Sequence, residues 1–199
     1  MTNHVRVSEI LAQFKDYSVV HPKVLSEKCQ IGTEVHTNIH VFKNGGFPVF
    51  DTFAVRNPVT SDVIRWEERG EGYYNSYMQF EKAKNPKFEV MEQRYYDDNL
   101  MITGQIDALM STDDLPVLVD FKCSYNADKE IWGMQAHYYK HLLEHNGIKI
   151  ADYFYFLKLD KKGKKPQIVE IKYDENVLSR CISEAILFWE NKSNAKCFS

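Results

Sequence analysis

Several things are scarce in this sequence. No apolar run comes near the ~20 residues a membrane-spanning helix requires. The opening Met1-Thr2-Asn3-His4-Val5-Arg6 has no apolar stretch of the kind a secretory signal carries. Both absences lead to the expectation of a cytoplasmic protein without a membrane partner. Cysteine is sparse. Cys29, Cys123, Cys181 and Cys197 show no CxxC spacing, which argues against a disulfide framework. Positive charge is in no surplus either. Lys and Arg number 25 against 28 Asp and Glu, a net charge of −3. A nucleic-acid partner would therefore be held by a local patch or through metal ions, not by a global basic field. Repeats, low-complexity segments and linkers are missing too, so nothing divides the 199 residues into separate domains.

What is plentiful is core material. The chain is 44% hydrophobic, with 12 Tyr and 12 Phe, which excludes a disordered tail and suffices for one domain core. Ser8 reads as the N-cap of a short amphipathic segment ended by His21-Pro22. Ser26 is expected to cap a second helix running to about Phe42, with Ile31, Val35 and Ile39 on one face, stopped by Asn44-Gly45-Gly46. Phe47 to Pro58 reads as irregular. A third helix is expected after Ser61, carrying Trp66, Tyr73, Tyr74, Tyr77 and Phe80 and closed by Asn85-Pro86.

The period then changes to two. Strands are predicted over 88–96, 100–110 and 116–122, joined by short turns that suit an antiparallel meander. A helix follows from Asp128 to about Asn146. Strands over 153–159 and 167–173 flank the turn Lys161-Lys162-Gly163-Lys164-Lys165, and a final helix carries Val177, Cys181, Ala185 and Trp189 on one face. The predicted class is α/β, a central mixed sheet flanked by helices. It forms one domain over 1–199, with an N-terminal helical part (about 1–85) and a core (about 86–199).

The sharpest chemical feature is Gly104-Gln105-Ile106-Asp107, followed by Asp120-Phe121-Lys122. Asp107 lies inside an apolar strand and Asp120 near the end of one. A buried carboxylate is costly unless paired, hydrogen-bonded or metal-bound. On neighbouring strands the two would converge at one edge of the sheet as hard oxygen ligands for Mg²⁺ or Mn²⁺. Lys122 leaves the same strand face as Asp120. It could orient a water molecule or stabilise charge on a phosphate oxygen, the chemistry of phosphodiester hydrolysis. An isolated D-x-K is more often a strand-end ion pair. Two more constellations stand beside it: Gln135 and Tyr139, four apart on one helix face, and Gly32-Thr33-Glu34-Val35-His36 upstream.

Taken in order, G-T-x-x-H, an isolated Glu92, G-x-I-D, D-x-K and Q-x-x-x-Y resemble the PD-(D/E)XK nuclease superfamily. Within it they resemble the RecB-like or phage-type exonuclease branch. The resemblance spans Gly32 to Tyr139 and implies a restriction-endonuclease-like core. It implies that His36, Asp107, Asp120 and the Phe121 carbonyl hold one or two Mg²⁺ or Mn²⁺ ions and that Lys122 is the catalytic lysine. Gln135 and Tyr139 would steady that lysine and contact DNA. Glu92 would reach metal or water, with Glu89 a near neighbour on the other strand face. It further implies an exonuclease working from DNA ends in recombination, repair or phage DNA processing, in the host cytoplasm if phage-encoded. A recombination or single-strand-binding protein is a conceivable partner, and an oligomer is possible but unread. The alternatives are an idle nuclease fold used for binding DNA or protein, and a structure-specific or nicking endonuclease.

Some members hold an iron–sulfur cluster through one early and three late cysteines. Here only Cys181 and Cys197 are late, so no cluster is expected. The pairs His36/His40 and His137/His141 have chelating spacing but no matching second pair. The lysine-rich turn reads equally as a phosphate grip or a solvated tip. The tyrosine stripe favours core packing over base stacking.

Overall fold

In a computed structural model, which describes residues 4–197 and the side chains up to 194, the chain alternates short and long elements. They are β1 (Val5–Arg6), α1 (Val7–Ala12), α2 (Pro22–Lys43), β2 (Thr52–Arg56), β3 (Val63–Glu68), α3 (Glu71–Lys84), β4 (Phe88–Asp97), β5 (Ile102–Met110), β6 (Val117–Lys122), α4 (Lys129–His145), β7 (Tyr153–Lys158), β8 (Gln167–Lys172) and α5 (Glu175–Cys197). Met1, Thr2, Asn3 and the side chain of Cys197, used in the sequence reading, lie outside the described residues. No helix among the described residues is long and apolar enough to cross a membrane.

The expected meander is present. β4 and β5 pair antiparallel along their length, and β5 and β6 pair antiparallel from Ala108↔Val119 to Met110↔Val117. Beyond β6 the sheet turns mixed. β6 pairs parallel with β7 after the crossover through α4, and β8 closes that edge antiparallel. Asp128 caps α4 by accepting the Ile131 N–H at 3.1 Å.

Helices cover both faces. One core holds Ile102, Ile106, Leu109 and Leu118 against α1, α4 and α5. The other holds Ala108, Val119 and Phe121 against α2 and α3. Tyr73, Tyr74, Tyr77 and Phe80 all lie in this second core, so the aromatic stripe is packing. Across the sheet, Trp132 stacks on Phe156 at 5.2 Å, a contact worth ~0.5–1.5 kcal/mol beyond its buried area.

Past the irregularity between Phe88 and Val90 on β4, the alternation slips once. On β5, Ile102 and Ile106 face the first core, but so does Leu109, while Ala108 faces the second. On β4, Tyr95 and Val90 join the first core, and Met91 and Phe88 the second. The slip falls at Glu92, whose φ of 52° is left-handed. It puts Glu92 and Asp107 at the seam between the two cores.

The N-terminal part departs from expectation. Ser61 starts no helix: Val63–Glu68 is a strand paired with Thr52–Arg56 inside the stretch read as irregular. Gly70, at φ 79°, separates that strand from α3, so Trp66 belongs to an exposed hairpin and not to the tyrosine stripe. β-branched Val63 and Ile64 beside Trp66 favour the extended chain. α2 begins at Pro22, not Ser26, because proline suits the first helical position and the His21 ring accepts the Lys23 N–H. Ser8 lies inside α1, whose N-cap is Arg6.

Candidate active site

The far edge of β5 is shared. β6 occupies it only as far as Ala108, and β1 takes it parallel at Ile102 and Thr103. Between them Gly104 to Asp107 are left unpaired on that side, and a cleft of about 500 Å³ opens there. Its walls include Arg6 and Ser8 from the N-terminus, Thr33 and Thr37 from α2, and Arg94 from β4.

The register sets the acidic residues in one row. Met91 pairs with Ala108 and Gln93 with Ile106, so Glu92 stands opposite Asp107. Ala108 pairs with Val119, which brings Asp120 level on the next strand. Three carboxylates thus meet across β4, β5 and β6. Asp107 and Asp120 are only 8% and 3% exposed. His36 enters from α2, its Nδ1 3.3 Å from Asp107 Oδ1 and its ring edge-on to Phe121 at 5.9 Å. One ligand atom each from His36, Glu92 and Asp107 lie within 4.8 Å of one another.

The remaining contacts are specific. Phe121 N donates to Asp107 Oδ2 at 2.7 Å, closing the backbone where β5 and β6 part. Lys122 Nζ lies against Asp120 Oδ1 and donates to Gln135 Oε1 at 2.8 Å. Gln135 Nε2 donates to Asp120 Oδ2 at 3.0 Å and to the Tyr139 hydroxyl at 3.2 Å. Gly104 allows α4 to come this close. A Cβ there would sit 2.7 Å from the Tyr139 ring and 2.9 Å from Leu142.

Crowding governs the charges. Burial alone would lower the His36 pKa, but the Asp107 carboxylate outweighs it and raises the imidazole to about 9. Burial would raise Asp107, yet His36 and then Lys122 hold its carboxyl below the usual range. Asp120 is pushed up to about 6 by burial and by Asp107, against the pull of Lys122. Burial and Asp107 also raise Glu92. Glu92 Oε1 is buried with no hydrogen-bond partner among the described residues. An unpaired buried acceptor costs ~1–3 kcal/mol. This one, grouped with the His36 imidazole and the Asp107 carboxylate, fits a hard divalent cation.

The structure therefore brings together His36, Glu92, Asp107, Asp120, Lys122, Gln135 and Tyr139, with Phe121 between them. Glu89 is exposed. His40, four residues after His36, is partly exposed. His137 is a packing histidine: Nδ1 meets Gly133 O at 2.7 Å and Nε2 accepts the Asp174 N–H at 2.8 Å. Sequence reading missed Arg94 and Gln105. Arg94 Nη2 donates to Gln105 Oε1 at 2.8 Å, and Gln105 Nε2 to Glu92 Oε2 at 2.6 Å. The signal was available, since each lies two positions from a carboxylate in the row.

Comparison with known proteins points one way. The family model of the PD-(D/E)XK nuclease superfamily matches residues 49–192, a span that holds every residue of the row and Lys122, Gln135 and Tyr139, though not His36. No curated protein matches the chain. Among solved structures, a candidate exonuclease from Eubacterium rectale has a TM-score of 0.51 at 11% identity, with 81% of this chain and 65% of that one covered. The present chain thus spans less than two thirds of that protein's length. LHK-Exo, in complex with dAMP, aligns over 100% of this chain and 96% of its own at 12% identity, with a TM-score of 0.44. Identities this low speak to the fold alone. With a family model covering most of its length, the chain belongs to the PD-(D/E)XK nuclease superfamily.

Proposed function

We propose that the chain is a divalent-metal-dependent DNA nuclease of the RecB-like or phage-type branch, acting as an exonuclease on DNA ends. One observation carries the reading. A row of carboxylates, with Glu92 Oε1 left neither hydrogen-bonded nor ion-paired among the described residues, sits beside an imidazole and an ammonium group. His36, Glu92, Asp107 and Asp120, with the Phe121 carbonyl, would hold Mg²⁺ or Mn²⁺. When bound, such an ion supplies positive charge to phosphate oxygens and lowers the pKa of water.

The protein's own groups do the rest. Lys122 has three N–H donors; Asp120 and Gln135 take two. The third is left for a phosphate oxygen or an attacking water. Gln135 links Asp120, Lys122 and Tyr139, which keeps the ammonium from swinging away as charge develops on the phosphate. Phe121, buried on the far side, fixes the His36 ring. β1 and the first turn of α1 wall the cleft on one side, which favours a strand end over a continuous duplex. The acidic net charge suits recognition through backbone and end geometry, not base sequence. Since α2 supplies the histidine and the sheet the carboxylates, residues 1–199 act as one nuclease domain in this reading.

A time course on end-labelled linear DNA, single- and double-stranded, with Mg²⁺ or Mn²⁺ tests it. Progressive shortening from ends with a covalently closed circle left intact is expected. Equal cutting of the circle would make the enzyme an endonuclease. DNA bound but uncut in both metals would leave a binding module and reject the proposal.

A further inference from the structure

We propose that Gln105, itself fixed by Arg94, is a positioning residue that presents one oxygen of Glu92 to the space shared with His36 and Asp107; the inference rests on the nuclease reading above. Arg94 and Gln105 are direct cross-strand partners on β4 and β5, two residues along the same ladder from the Glu92–Asp107 level. A guanidinium has donors only, so it can meet only the carbonyl end of the Gln105 amide. That removes the usual ambiguity in amide orientation. The NH₂ end must then face Glu92, and it does, at 2.6 Å.

The result is asymmetric. Glu92 Oε2 is satisfied, and Oε1 is buried without a partner among the described residues. A glutamate free to rotate would share the amide between both oxygens or turn to solvent. The backbone adds to the case. A non-glycine residue at φ 52° carries backbone strain, which persists only where the surroundings over-determine it. A plain structural tie between strands is not needed here, because backbone pairs already join β4 and β5 on both sides of Glu92. The Arg94–Gln105 chain acts on the carboxylate itself.

The test uses the full chain and three readouts: thermal unfolding without metal, calorimetric titration with Mn²⁺ alone, and kcat and KM on linear DNA. Gln105→Met keeps the length and removes both hydrogen bonds. It is expected to melt close to the parent, to weaken Mn²⁺ binding about ten- to a hundred-fold, and to lower kcat with little change in KM. Arg94→Met should shift both in the same direction by less, and Arg94→Lys, which restores a cationic donor, should recover part of that loss. Parental Mn²⁺ affinity and kcat in Gln105→Met overturn the inference and leave the nuclease reading standing. If Gln105→Met fails to fold, parental Mn²⁺ affinity in Arg94→Met overturns it instead. A parent that neither binds Mn²⁺ nor cuts DNA overturns both.

Discussion

Among the described residues, two clusters set histidine against buried carboxylate, and they are built to opposite rules. At the β4–β5 turn, Asp97 is almost wholly buried and both its oxygens are partnered. Oδ1 accepts the Asn99 and Leu100 N–H groups at 2.7 and 3.1 Å and lies 3.6 Å from His145, while Oδ2 is 2.8 Å from His141. At the seam, Glu92, Asp107 and Asp120 crowd together, and among the described residues Glu92 Oε1 has neither a hydrogen bond nor an ion pair. Residue types barely distinguish the two. Donor accounting does: a carboxylate with both oxygens partnered clasps a turn to a helix, and an under-supplied row has the donor set the proposed cation would use.

Substitutions that remove the row's charge should show the widest gap between the clusters. Asp107→Asn keeps an acceptor for the Phe121 N–H, and Lys122→Met removes the ammonium while keeping most of the stem. Each is expected to lower metal-dependent DNA degradation by at least about a hundred-fold, with melting temperatures near the parent. Wild-type rates in both would erase the distinction. Next in size is pH. His36 must give up its proton to become a donor, and Asp107 holds that proton to about 9. Mn²⁺ affinity in calorimetry should therefore climb about tenfold per unit as pH rises toward 9 and fall again on acidification.

The Asp97 clasp should respond to other conditions. Burial would raise its carboxyl, but His141 and the two backbone N–H groups hold it below the usual value. A depressed folded value stabilises the native state above the unfolded carboxylate range near 3.8, and that contribution disappears as pH falls through the folded value. Asp97→Ala should cost roughly 1–3 kcal/mol in chemical denaturation at neutral pH and leave Mn²⁺ affinity unchanged. A loss of metal binding in that variant would merge the clusters into one. The smallest effect belongs to the exposed hairpin. Trp66→Ala is expected to change stability by less than ~0.5 kcal/mol.

Where pairing is local, the sequence was easy to interpret. β4 to β6 show their period of two, separated by polar turns, and α4 announces itself through Asp128 and a long apolar face. Asp107, Asp120, Lys122, Gln135 and Tyr139 follow from fixed spacing on those elements. Non-local features left less trace. β1 is two residues long and gains its meaning only from Ile102 and Thr103, far along the chain. The β2–β3 hairpin was hidden because aromatic residues on both sides of Gly70 run together in the text, and only a left-handed glycine separates strand from helix. Glu92 stood out over Glu89, but its left-handed backbone leaves no mark in the letters. Arg94 and Gln105 were passed over because a lone arginine and glutamine on strands carry no motif.

The two strands that divide the far edge of β5 come from opposite halves of the polypeptide. Synthesis from the N-terminus adds His36 and Glu92 to the chain well before Gln135, which secures Lys122. In the proposed mechanism the Lys122 ammonium therefore gains its hold from Gln135 only once the helix after β6 has been made and docked.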